Sequence, residues 1–247
     1  MARSLDGKAA LVTGASSGIG RAVATALARE GADLTLLARR EDRLVSIANE
    51  LGVAHEVDAQ AAPTDVRDPD QVATAVDGAL DRHGRLDVAI SNAGTGVFGD
   101  VDEVELEEFH ATVETNVNGT FYLTRAVLPA LRAAEGNLVF VGSFAGQYPF
   151  PGGPVYAGSK AWIRLFAHSV EARAGADGVA VTVINPGGVR TPFAVGEGAT
   201  QADRYDEGEA PEPTEIADAV VFACQRSKAA TVHELNIYRR DQLADFG

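Results

Sequence analysis

The 247-residue chain is predicted to fold as a single α/β domain, with helices covering both faces of a mostly parallel sheet. Short apolar runs alternate with amphipathic stretches along the first half, the pattern of strands joined by crossover helices. The apolar runs are nearly continuous, as burial on both faces of a sheet requires. No repeat or low-complexity linker interrupts this pattern, so we expect one doubly wound, three-layer domain over residues 1–247.

The predicted strands are runs rich in Val, Leu, Ile and Ala: Ala9–Thr13, Asp33–Ala38, Leu86–Ile90, Asn137–Gly142 and Val179–Ile184. Between them, apolar side chains recur at helical spacing. The predicted helices are Gly18–Arg29, Glu41–Leu51, Asp70–Arg82, one or two within Leu106–Ala133, and Val155–Arg173. Such a sheet holds its ligand at the carboxyl ends of its strands, near the point where strand order reverses.

Composition excludes several classes of partner. The formal charge of −14 repels phosphate backbones, so no nucleic-acid partner is expected. No run of about 18 apolar residues predicts a membrane span. The N-terminus is short and polar, without an apolar signal region, and Cys224 is the only cysteine, so a reducing, cytoplasmic location is expected. Few lysines among many carboxylates fit either adaptation to high salt or a genome rich in arginine codons.

Two groups of residues stand apart from this pattern. The five histidines are scattered without metal-ligand spacing, so no metal site is predicted. Asp81, His83 and Asp87 are expected on the surface. The segment 193–213 is rich in Gly, Glu, Asp and Ala and poor in aliphatic residues. Long loops of this kind are functional lids or disordered segments, and here we expect a lid over a substrate cleft.

The first chemical signal is the glycine-rich turn Thr13–Gly20 (TGASSGIG), which follows a buried strand and opens a helix. Glycines at such a junction allow a tight turn and let a diphosphate approach the backbone, while the amides of the helix N-terminus face the anion. The spacing is GxxxGxG rather than GxGxxG. Many strand–helix turns contain glycine simply to turn, so the position of this one, at the first junction, is what favours a dinucleotide site.

The end of the second strand indicates which dinucleotide binds. In sheets of this type an acid at that point binds the ribose 2′-hydroxyl of NAD, whereas arginine suits the 2′-phosphate of NADP. This chain has Ala38 followed by Arg39 and Arg40, which favours NADP over NAD; a solvated helix start is the alternative interpretation. Small residues at Asn92–Gly94, after another strand, would let a cofactor lie close or would form an ordinary turn.

The strongest constellation is Ser143, Tyr156 and Lys160. Ser143 ends a buried strand, and the other two residues are four apart, so on a helix they share one face. A phenol has a pKa of about 10, and we expect the nearby ammonium, with an oxidised nicotinamide, to lower that pKa. Tyr156 would then serve as general acid or base for an alcohol or carbonyl oxygen, which Ser143 could also hydrogen-bond.

Taken together, these segments resemble the short-chain dehydrogenase/reductase family, of the NADP-preferring single-domain type. The likeness covers nearly the whole chain, and the motifs stand in the family's order and approximate spacing. They are Thr13–Gly20, NAG at Asn92–Gly94, Asn116 in TNVNG, Ser143, YAGSK at Tyr156–Lys160, and NPGGVRT at Asn185–Thr191. The resemblance implies a Rossmann-like fold, hydride transfer between a nicotinamide and an alcohol or carbonyl carbon, and a homodimer or homotetramer.

The resemblance also implies roles for individual residues. It implies a catalytic tetrad of Asn116, Ser143, Tyr156 and Lys160, with Asn116 joining Lys160 to a proton relay through a water. It implies NADP(H) as the preferred cofactor, with NAD(H) as the second choice. The implied cofactor contacts are Gly14, Ser16, Ser17, Gly18, Ile19, Gly20, Arg39, Arg40, Asp65, Val66, Asn92, Ala93, Gly94, Tyr156, Lys160, Pro186, Gly187, Val189 and Thr191. Asp65 would meet the adenine, and Asp58 is its rival for that role.

The substrate is left open. The ending Val232–Arg239 loosely resembles the subgroup acting on serine and related 3-hydroxy acids, and also some broad carbonyl reductases. The segment Gln147–Gly153, with Phe193, is expected to shape the pocket, and Tyr148 and Phe150 suggest apolar contacts unless they only pack the loop. Two alternatives to an oxidoreductase are a regulator that senses NADP(H) without turnover and an enzyme that epimerises or dehydrates a nucleotide sugar.

Overall fold

The computed structural model of the protein describes residues 3–193 and 199–244. Its strands are β1 (Ala9–Thr13), β2 (Asp33–Ala38), β3 (Ala59–Pro63), β4 (Val88–Ser91), β5 (Asn137–Val141), β6 (Ala180–Pro186) and β7 (Glu234–Ile237). They form one sheet in the order β3-β2-β1-β4-β5-β6-β7. Every neighbouring pair is parallel. The predicted doubly wound α/β fold is therefore confirmed.

The connections between the strands are mostly helical, as parallel pairing requires. The helices are α1 (Gly18–Arg29), α2 (Glu41–His55), α3 (Pro69–His83), α4 (Leu106–Val113), α5 (Gly119–Ala134), α6 (Pro154–Ala174), α7 (Gln201–Arg204) and α8 (Pro213–Cys224). A π-helical turn, Glu114–Asn118, joins α4 to α5. Among the described residues, none of these helices is both long enough and apolar enough to span a bilayer.

Side chains that alternate along each strand bury two apolar cores, one on each face of the sheet. Val12 belongs to the core that includes Leu27 of α1 and Ile216 of α8. Its neighbour Leu11 belongs to the opposite core, which includes Ile163 of α6. Because successive strand residues point to opposite faces, a continuous apolar run serves both cores. The result is the three-layer arrangement that the sequence predicts.

Besides the short helix α7, three elements were not predicted, and each of the three has a physical reason. Strand β3 reads AQAAP and is only partly buried, because it lies at the edge of the sheet and alanine carries little strand signal. Helix α8 begins with a proline and has a capping box between Glu212 and Glu215, which are start signals that sequence reasoning passed over. Strand β7 has four residues, lies at the other edge and is also only partly buried.

Other predicted bounds differ by a few residues. Helix α2 continues to His55 and ends at Glu56, whose φ of 55° lies in the left-handed region. The segment 106–133 holds two helices, one of the two arrangements expected.

The three residues expected on the surface do not all lie there. Asp81 is exposed, but the side chain of His83 is 2% exposed and that of Asp87 is 4% exposed. Asp87 accepts hydrogen bonds from Lys8, Arg85 and the backbone amide of Ala9. Its position just before β4 places it beside the first residue of β1, where these three donors compensate its burial.

Strand order reverses between β1 and β4. From β1 the chain proceeds through β2 and β3 toward one edge of the sheet, and from β4 it proceeds through β5 and β6 to β7 at the other edge. The crossovers diverge at that point and leave a crevice beyond the carboxyl ends of the two strands. Thr13 ends β1 and Ser91 ends β4, so the glycine-rich turn and the Asn92–Gly94 segment both open onto this crevice.

Candidate active site

A cleft of about 880 Å³ occupies this crevice. At one end it is lined by the glycine-rich turn and by arginines, and at the other by phenylalanines. Of the predicted catalytic and cofactor-binding residues, all but Gly20 and Asn116 line it. The segments that the sequence singled out separately are thus brought together in one place.

The glycine-rich turn has the backbone conformation that glycine alone adopts easily. Gly14 has a φ of 67° and Gly18 a φ of 53°. Gly20 was predicted to line the diphosphate, but it lies behind the turn: a Cβ there would stand 2.3 Å from the Gly14 carbonyl oxygen and 2.5 Å from Asn92 Nδ2. Its role is therefore to let α1 pack closely against the turn.

Thr13 and Asn92 tie the turn to the neighbouring strand. The amides of Asn92 and Ala93 donate to the Thr13 hydroxyl at 2.9 and 3.0 Å. The Asn92 side chain donates to the Thr13 carbonyl at 2.8 Å. These bonds fix the two small-residue segments relative to each other across the switch point, which favours the functional interpretation of Asn92–Gly94 over an isolated turn.

Arginine side chains gather where β2 ends. Arg40 donates to the hydroxyls of Ser16 at 2.8 Å and Ser17 at 3.1 Å, and Arg39 also lines the cleft. Burial, together with the charges of Arg43 and Arg39, lowers the pKa of Arg40. An anion at this point would relieve that repulsion and would find hydroxyl donors beside the guanidinium.

The structure separates the two aspartates considered for adenine contact. Asp58 precedes β3, bonds Arg82 and does not line the cleft. Asp65 follows β3, at the carboxyl edge, and does line it. The Asp65 carboxylate already accepts Arg67 Nε at 3.0 Å, and this guanidinium lowers the pKa of Asp65. An adenine amino group would share that carboxylate with Arg67.

Lys160 lies at the centre of the cleft, and its side chain is buried. Its ammonium donates to the Val141 carbonyl at 2.8 Å, at the end of β5. Burial lowers the pKa of Lys160 from 10.5 to about 8. The ammonium stands 5.8 Å from the centre of the Tyr156 ring, so the pair shares one face of α6 as predicted.

The expected lowering of the Tyr156 pKa is not found. Burial raises the pKa of Tyr156, and the hydrogen bond from Ser143 opposes that rise. Because the Ser143 hydroxyl oxygen accepts the Ala145 amide at 3.1 Å, its proton is free to point to the phenol. Lys160 turns its ammonium to the Val141 carbonyl instead. In this state Tyr156 is a protonated phenol, suited to donating a proton.

Asn116 is fully buried in the π-helical turn and contacts Ser159, the residue before Lys160, rather than Lys160 itself. Its carbonyl oxygen accepts the Thr95 amide at 2.9 Å, and its amide group donates to the Thr95 carbonyl at 2.8 Å and to Ser159 Oγ at 2.9 Å. These bonds occupy the side chain, so any water relay to Lys160 would run through the backbone of this turn. The side chain instead fixes the loop after β4 against α6.

The segment after β6 closes the other side of the cleft. Pro186, Gly187, Val189 and Thr191 line it, and a Cβ on Gly18 would meet the Thr191 Cβ at 3.3 Å. Asn185, which begins the motif, points away from the cleft. Its carbonyl oxygen accepts the Ser143 amide at 3.3 Å, and its amide group donates to Glu234 at 2.7 Å. Asn185 therefore connects the Ser143 backbone to β7.

Three phenylalanines from three loops form a group of rings beside Tyr156. The Phe98 ring centre lies 5.7 Å from that of Tyr156, 6.3 Å from Phe150 and 6.3 Å from Phe193. Phe150 and Phe193 were expected at the pocket, whereas Phe98 was missed, since its only signal is its position four residues after Gly94. Tyr148 lies outside the cleft lining and stacks on Phe144 at 4.7 Å, so it packs the loop.

The segment 193–213 is described except for residues 194–198, where the prediction of a lid lies outside the described residues. Phe193, Gln201, Arg204 and Tyr205 line the cleft. Tyr205 comes so close to Gly188 that a Cβ there would stand 2.9 Å from the tyrosine ring. The segment also contains the short helix α7, which the sequence did not predict.

Proteins of known sequence resemble this chain over nearly all of its length. A glycine betaine reductase of Emericella nidulans is 34% identical over 96% of the chain, which spans about a fifth (19%) of that protein. An uncharacterized oxidoreductase of Staphylococcus aureus is 32% identical, covering 94% of this chain and 97% of the relative.

Solved structures also match this chain over nearly all of its length. An alcohol dehydrogenase from the archaeon Thermococcus sibiricus, complexed with 5-hydroxy-NADP, has a TM-score of 0.88 at 32% identity and covers 95% of this chain and 97% of its own. A 3-ketoacyl-(acyl-carrier-protein) reductase from Brucella melitensis, complexed with NADH, has a TM-score of 0.85 at 28% identity, with 95% and 98% covered. L-sorbose reductase from Gluconobacter frateurii, complexed with NADPH and L-sorbose, has a TM-score of 0.85 at 28% identity, with 96% and 97% covered.

The family comparison agrees with the geometry of the cleft. The family model described as short chain dehydrogenase matches residues 8–202, from the start of the sheet into α7. That stretch includes the glycine-rich turn, Ser143, Tyr156 and Lys160. The chain is therefore an oxidoreductase that belongs to the short-chain dehydrogenase family.

Proposed function

We propose that the protein interconverts an alcohol and a carbonyl group by NADP(H)-linked hydride transfer, with Tyr156 as the general acid and base. The observation that carries this proposal is the placement of the Tyr156 phenol. It accepts a hydrogen bond from Ser143, lies a helical turn from Lys160 and shares one cleft with the glycine-rich turn. When a substrate oxygen enters between them, the Ser143 hydroxyl can turn from the phenol to that oxygen, and both O–H groups then donate to it.

The cleft fits the cofactor at several independent points. At Gly14 and Gly18 a side chain would project toward Asn92 and Thr191 from a left-handed backbone, so glycine keeps the turn open for a diphosphate. Strand β2 ends without an acid and is followed by arginines, so the 2′-phosphate of NADP is favoured over the bare ribose of NAD. NADP, NADPH and NADH complexes among the structural relatives support NADP(H) with NAD(H) as the second choice. When bound, the cofactor supplies or accepts the hydride.

Side chains of the protein transfer the proton and stabilise the charges that result. In the reductive direction Tyr156 donates its proton to the carbonyl oxygen, and its raised pKa keeps that proton in place at neutral pH. Ser143 donates a hydrogen bond to the same oxygen and so stabilises the charge that develops there. Lys160, as an ammonium, stabilises the phenolate that Tyr156 leaves behind. In the oxidative direction the same phenolate takes the alcohol proton.

The substrate end of the cleft favours an uncharged small molecule with an apolar group next to its reacting carbon. Phe98 and Phe193 pack against Tyr156, and Phe150 packs against Phe98, so this end of the cleft is apolar. The described residues Phe193, Gln201 and Tyr205 line the cleft, which supports a role for this part of the chain as a lid. The relatives act on chemically diverse substrates, so the rings of this chain are the better guide to its own.

We further propose that the protein is cytoplasmic and acts as a homodimer or homotetramer. Phe121 of α5 and Leu165 of α6 are exposed apolar side chains on the helices expected to pair across a two-fold axis. Sedimentation of the purified chain would decide this; a monomer at micromolar concentration would contradict it.

A panel of aldehydes, ketones, hydroxy acids and sugars, followed by NADPH absorbance, tests the reaction. Tyr156→Phe should lower kcat by roughly 10²- to 10⁴-fold, because the acid is lost, while the Kd for NADPH changes less than about threefold. Tyr122→Phe, on α5 outside the cleft, is the matched control and should leave kcat unchanged. Turnover that survives Tyr156→Phe would overturn the mechanism, and NADPH binding without turnover of any substrate would favour the sensor.

A further inference from the structure

Away from the cleft, the end of α6 and the start of β7 bring together two histidines and two glutamates. His168 and Glu171 are three residues apart on α6 and so lie on one face. His233 and Glu234 are adjacent, at the start of β7. The sequence predicted scattered histidines, but the rings of His168 and His233 stack with their centres 4.2 Å apart. None of the four residues lines the cleft.

Three of these side chains point ligand atoms at a common point. One ligand atom each from His168, His233 and Glu234 lies within 4.8 Å of the other two. His168 Nε2 is 3.3 Å from a Glu234 carboxylate oxygen. Within the described part of the chain, this nitrogen is buried and has no hydrogen-bond partner of good geometry. A buried ring nitrogen in that condition calls for a ligand.

The surrounding groups are arranged as supports for a metal site. His233 Nδ1 is hydrogen-bonded to the Glu171 carboxylate, which holds the ring and leaves Nε2 as the free ligand nitrogen. Glu234 Oε1 accepts Arg164 Nε at 2.9 Å, Asn185 Nδ2 at 2.7 Å and Gln147 Nε2. Oε2, the oxygen 3.3 Å from His168 Nε2, accepts only Arg164 among the described residues, so the carboxylate is oriented while a lone pair of Oε2 is left for a cation.

We propose that His168, His233 and Glu234 form a binding site for a divalent transition metal, of which zinc is the best match. Two imidazoles and one carboxylate are a ligand set that Zn²⁺ takes in proteins, with a fourth position left for water. Ligand atoms about 3 to 3.5 Å apart suit tetrahedral bonds of about 2.0 to 2.2 Å, so small side-chain rotations would close the site. The His233 side chain is 57% exposed and gives the ion access from solvent.

Electrostatics around the cluster support the same assignment. Glu171 and Glu234 together carry two negative charges against the single positive charge of Arg164, so the cluster has a net negative charge that favours a cation.

The ion would act as a clamp between α6 and β7. Strand β7 is a short edge strand that pairs only with β6 among the described strands, so a bond to α6 would fix its position. The clamp also reaches the active site through Asn185, which bonds both Glu234 and the Ser143 amide. Metal binding should therefore stabilise the fold and alter kcat only through the position of Ser143.

The test uses the full-length chain, free of any histidine tag and treated with a chelator. Calorimetric titration with Zn²⁺ should give one ion per chain and a rise in Tm. His233→Ala removes an exposed ligand and should weaken binding at least tenfold. Glu171→Gln, which disturbs only the support of His233, should weaken binding about 10- to 100-fold. Co²⁺ in place of Zn²⁺ should give a visible absorption spectrum that His233→Ala abolishes.

His110→Ala provides the matched control, because that histidine lies on α4 outside the cluster and should leave Zn²⁺ affinity within twofold. His168→Ala should abolish the one-to-one site; where its circular dichroism shows loss of fold, His233→Ala decides alone, since an exposed side chain is dispensable for folding. Binding that is equal in wild type and His233→Ala, or that falls well below one ion per chain, would overturn the proposal and leave the cluster as an ion-pair network.

Discussion

The two ends of the cleft are built from different materials. The end near β1 and β2 consists of backbone in special conformations, with Arg40, Ser16 and Ser17 around it. The end beyond Tyr156 consists of apolar rings. The first end has fixed groups suited to an anion that is the same in every turnover. The second offers shape and apolar surface, which neighbouring side chains can change without disturbing the fold.

This difference shows how one fold can keep a cofactor and vary a substrate. Gly14 and Gly18 are part of the strand–helix junction itself, so the diphosphate site cannot change without changing the fold. Phe98, Phe150 and Phe193 each sit on a separate loop, so each can be replaced alone. If the two ends are independent, a substitution at one end should leave binding at the other end unchanged.

The largest effect is expected at the boundary between the ends, at Lys160. Its folded-state pKa of about 8 lies below the unfolded value of 10.5. Between these pH values the unfolded chain binds a proton that the folded chain lacks, so the free energy of unfolding rises with pH. The rise should be about 3 kcal/mol for this group. Urea unfolding of wild type and Lys160→Met at several pH values measures it as a growing difference.

The matched control is Lys228→Met, because Lys228 is an exposed lysine far from the cleft. A difference between wild type and Lys160→Met that grows no more from pH 8 to 10.5 than the difference for Lys228→Met would show that the Lys160 ammonium is hydrated in the folded protein.

At the cofactor end, Gly20→Ala should lower the free energy of unfolding by roughly 2 to 3 kcal/mol. The new Cβ would stand 2.3 Å from the Gly14 carbonyl, which belongs to the backbone and cannot rotate away. The Kd for NADPH should rise with it, because the turn must shift. Gly78→Ala, in α3, is the control: nothing lies within 4 Å of its Cβ, so alanine should stabilise the helix by about 0.5 to 1 kcal/mol.

Denaturation curves of Gly20→Ala and Gly78→Ala measure the predicted changes in the free energy of unfolding, and NADPH titrations measure the Kd of each variant. A Gly20→Ala protein as stable as wild type, with unchanged NADPH affinity, would show that the turn is more pliable than its close packing suggests.

The same contrast explains how much the sequence could predict. The glycine-rich turn, Asn92–Gly94 and the Tyr156–Lys160 pair are local patterns, and each lies at a strand end or on one helix face. Parallel pairing then carries the strand ends to one edge of the sheet, so the cofactor end of the site follows from local signals.

What the sequence could not predict depends on contacts between distant segments. Phe98 reaches Tyr156 only because two loops converge, and no local pattern marks it. His168 and His233 are 65 positions apart and meet only because α6 packs beside an edge strand that carried too little apolar signal to be recognised. The contribution of the protein alone to the Tyr156 pKa has a similar cause: whether the Lys160 ammonium points at the phenol or at the Val141 carbonyl is a matter of rotamer and neighbouring backbone.

The preference for NADP over NAD should depend on Arg40, and the expected change in free energy is smaller than the changes expected at Lys160 and Gly20. Arg40→Ala should raise the Kd for NADPH about 30-fold, or about 2 kcal/mol, the worth of hydrogen bonds to a charged group. The Kd for NADH should change less than about threefold, since that cofactor lacks the 2′-phosphate. Arg43→Ala removes the same charge from an exposed position outside the cleft and serves as the control. Equal losses for both cofactors would mean that Arg40 acts by holding Ser16 and Ser17, and would break the assignment of this end to a phosphate.

The smallest effect is expected at the substrate end, from Phe98→Ala. The Phe98 ring packs against Tyr156 and the Phe150 ring, so its loss should lower kcat/KM for a small apolar ketone about tenfold, by removing apolar contact of about 1.4 kcal/mol. Bulkier ketones should lose less, because the space left by the ring admits them. The Kd for NADPH should not change, since the ring belongs to the other end of the cleft.

Phe222→Ala, whose exposed ring packs on Arg226 of the outer surface, should leave both quantities at their wild-type values. A Phe98→Ala enzyme that binds NADPH more weakly would show that the rings also brace the cofactor end, and the independence of the two ends would have to be given up.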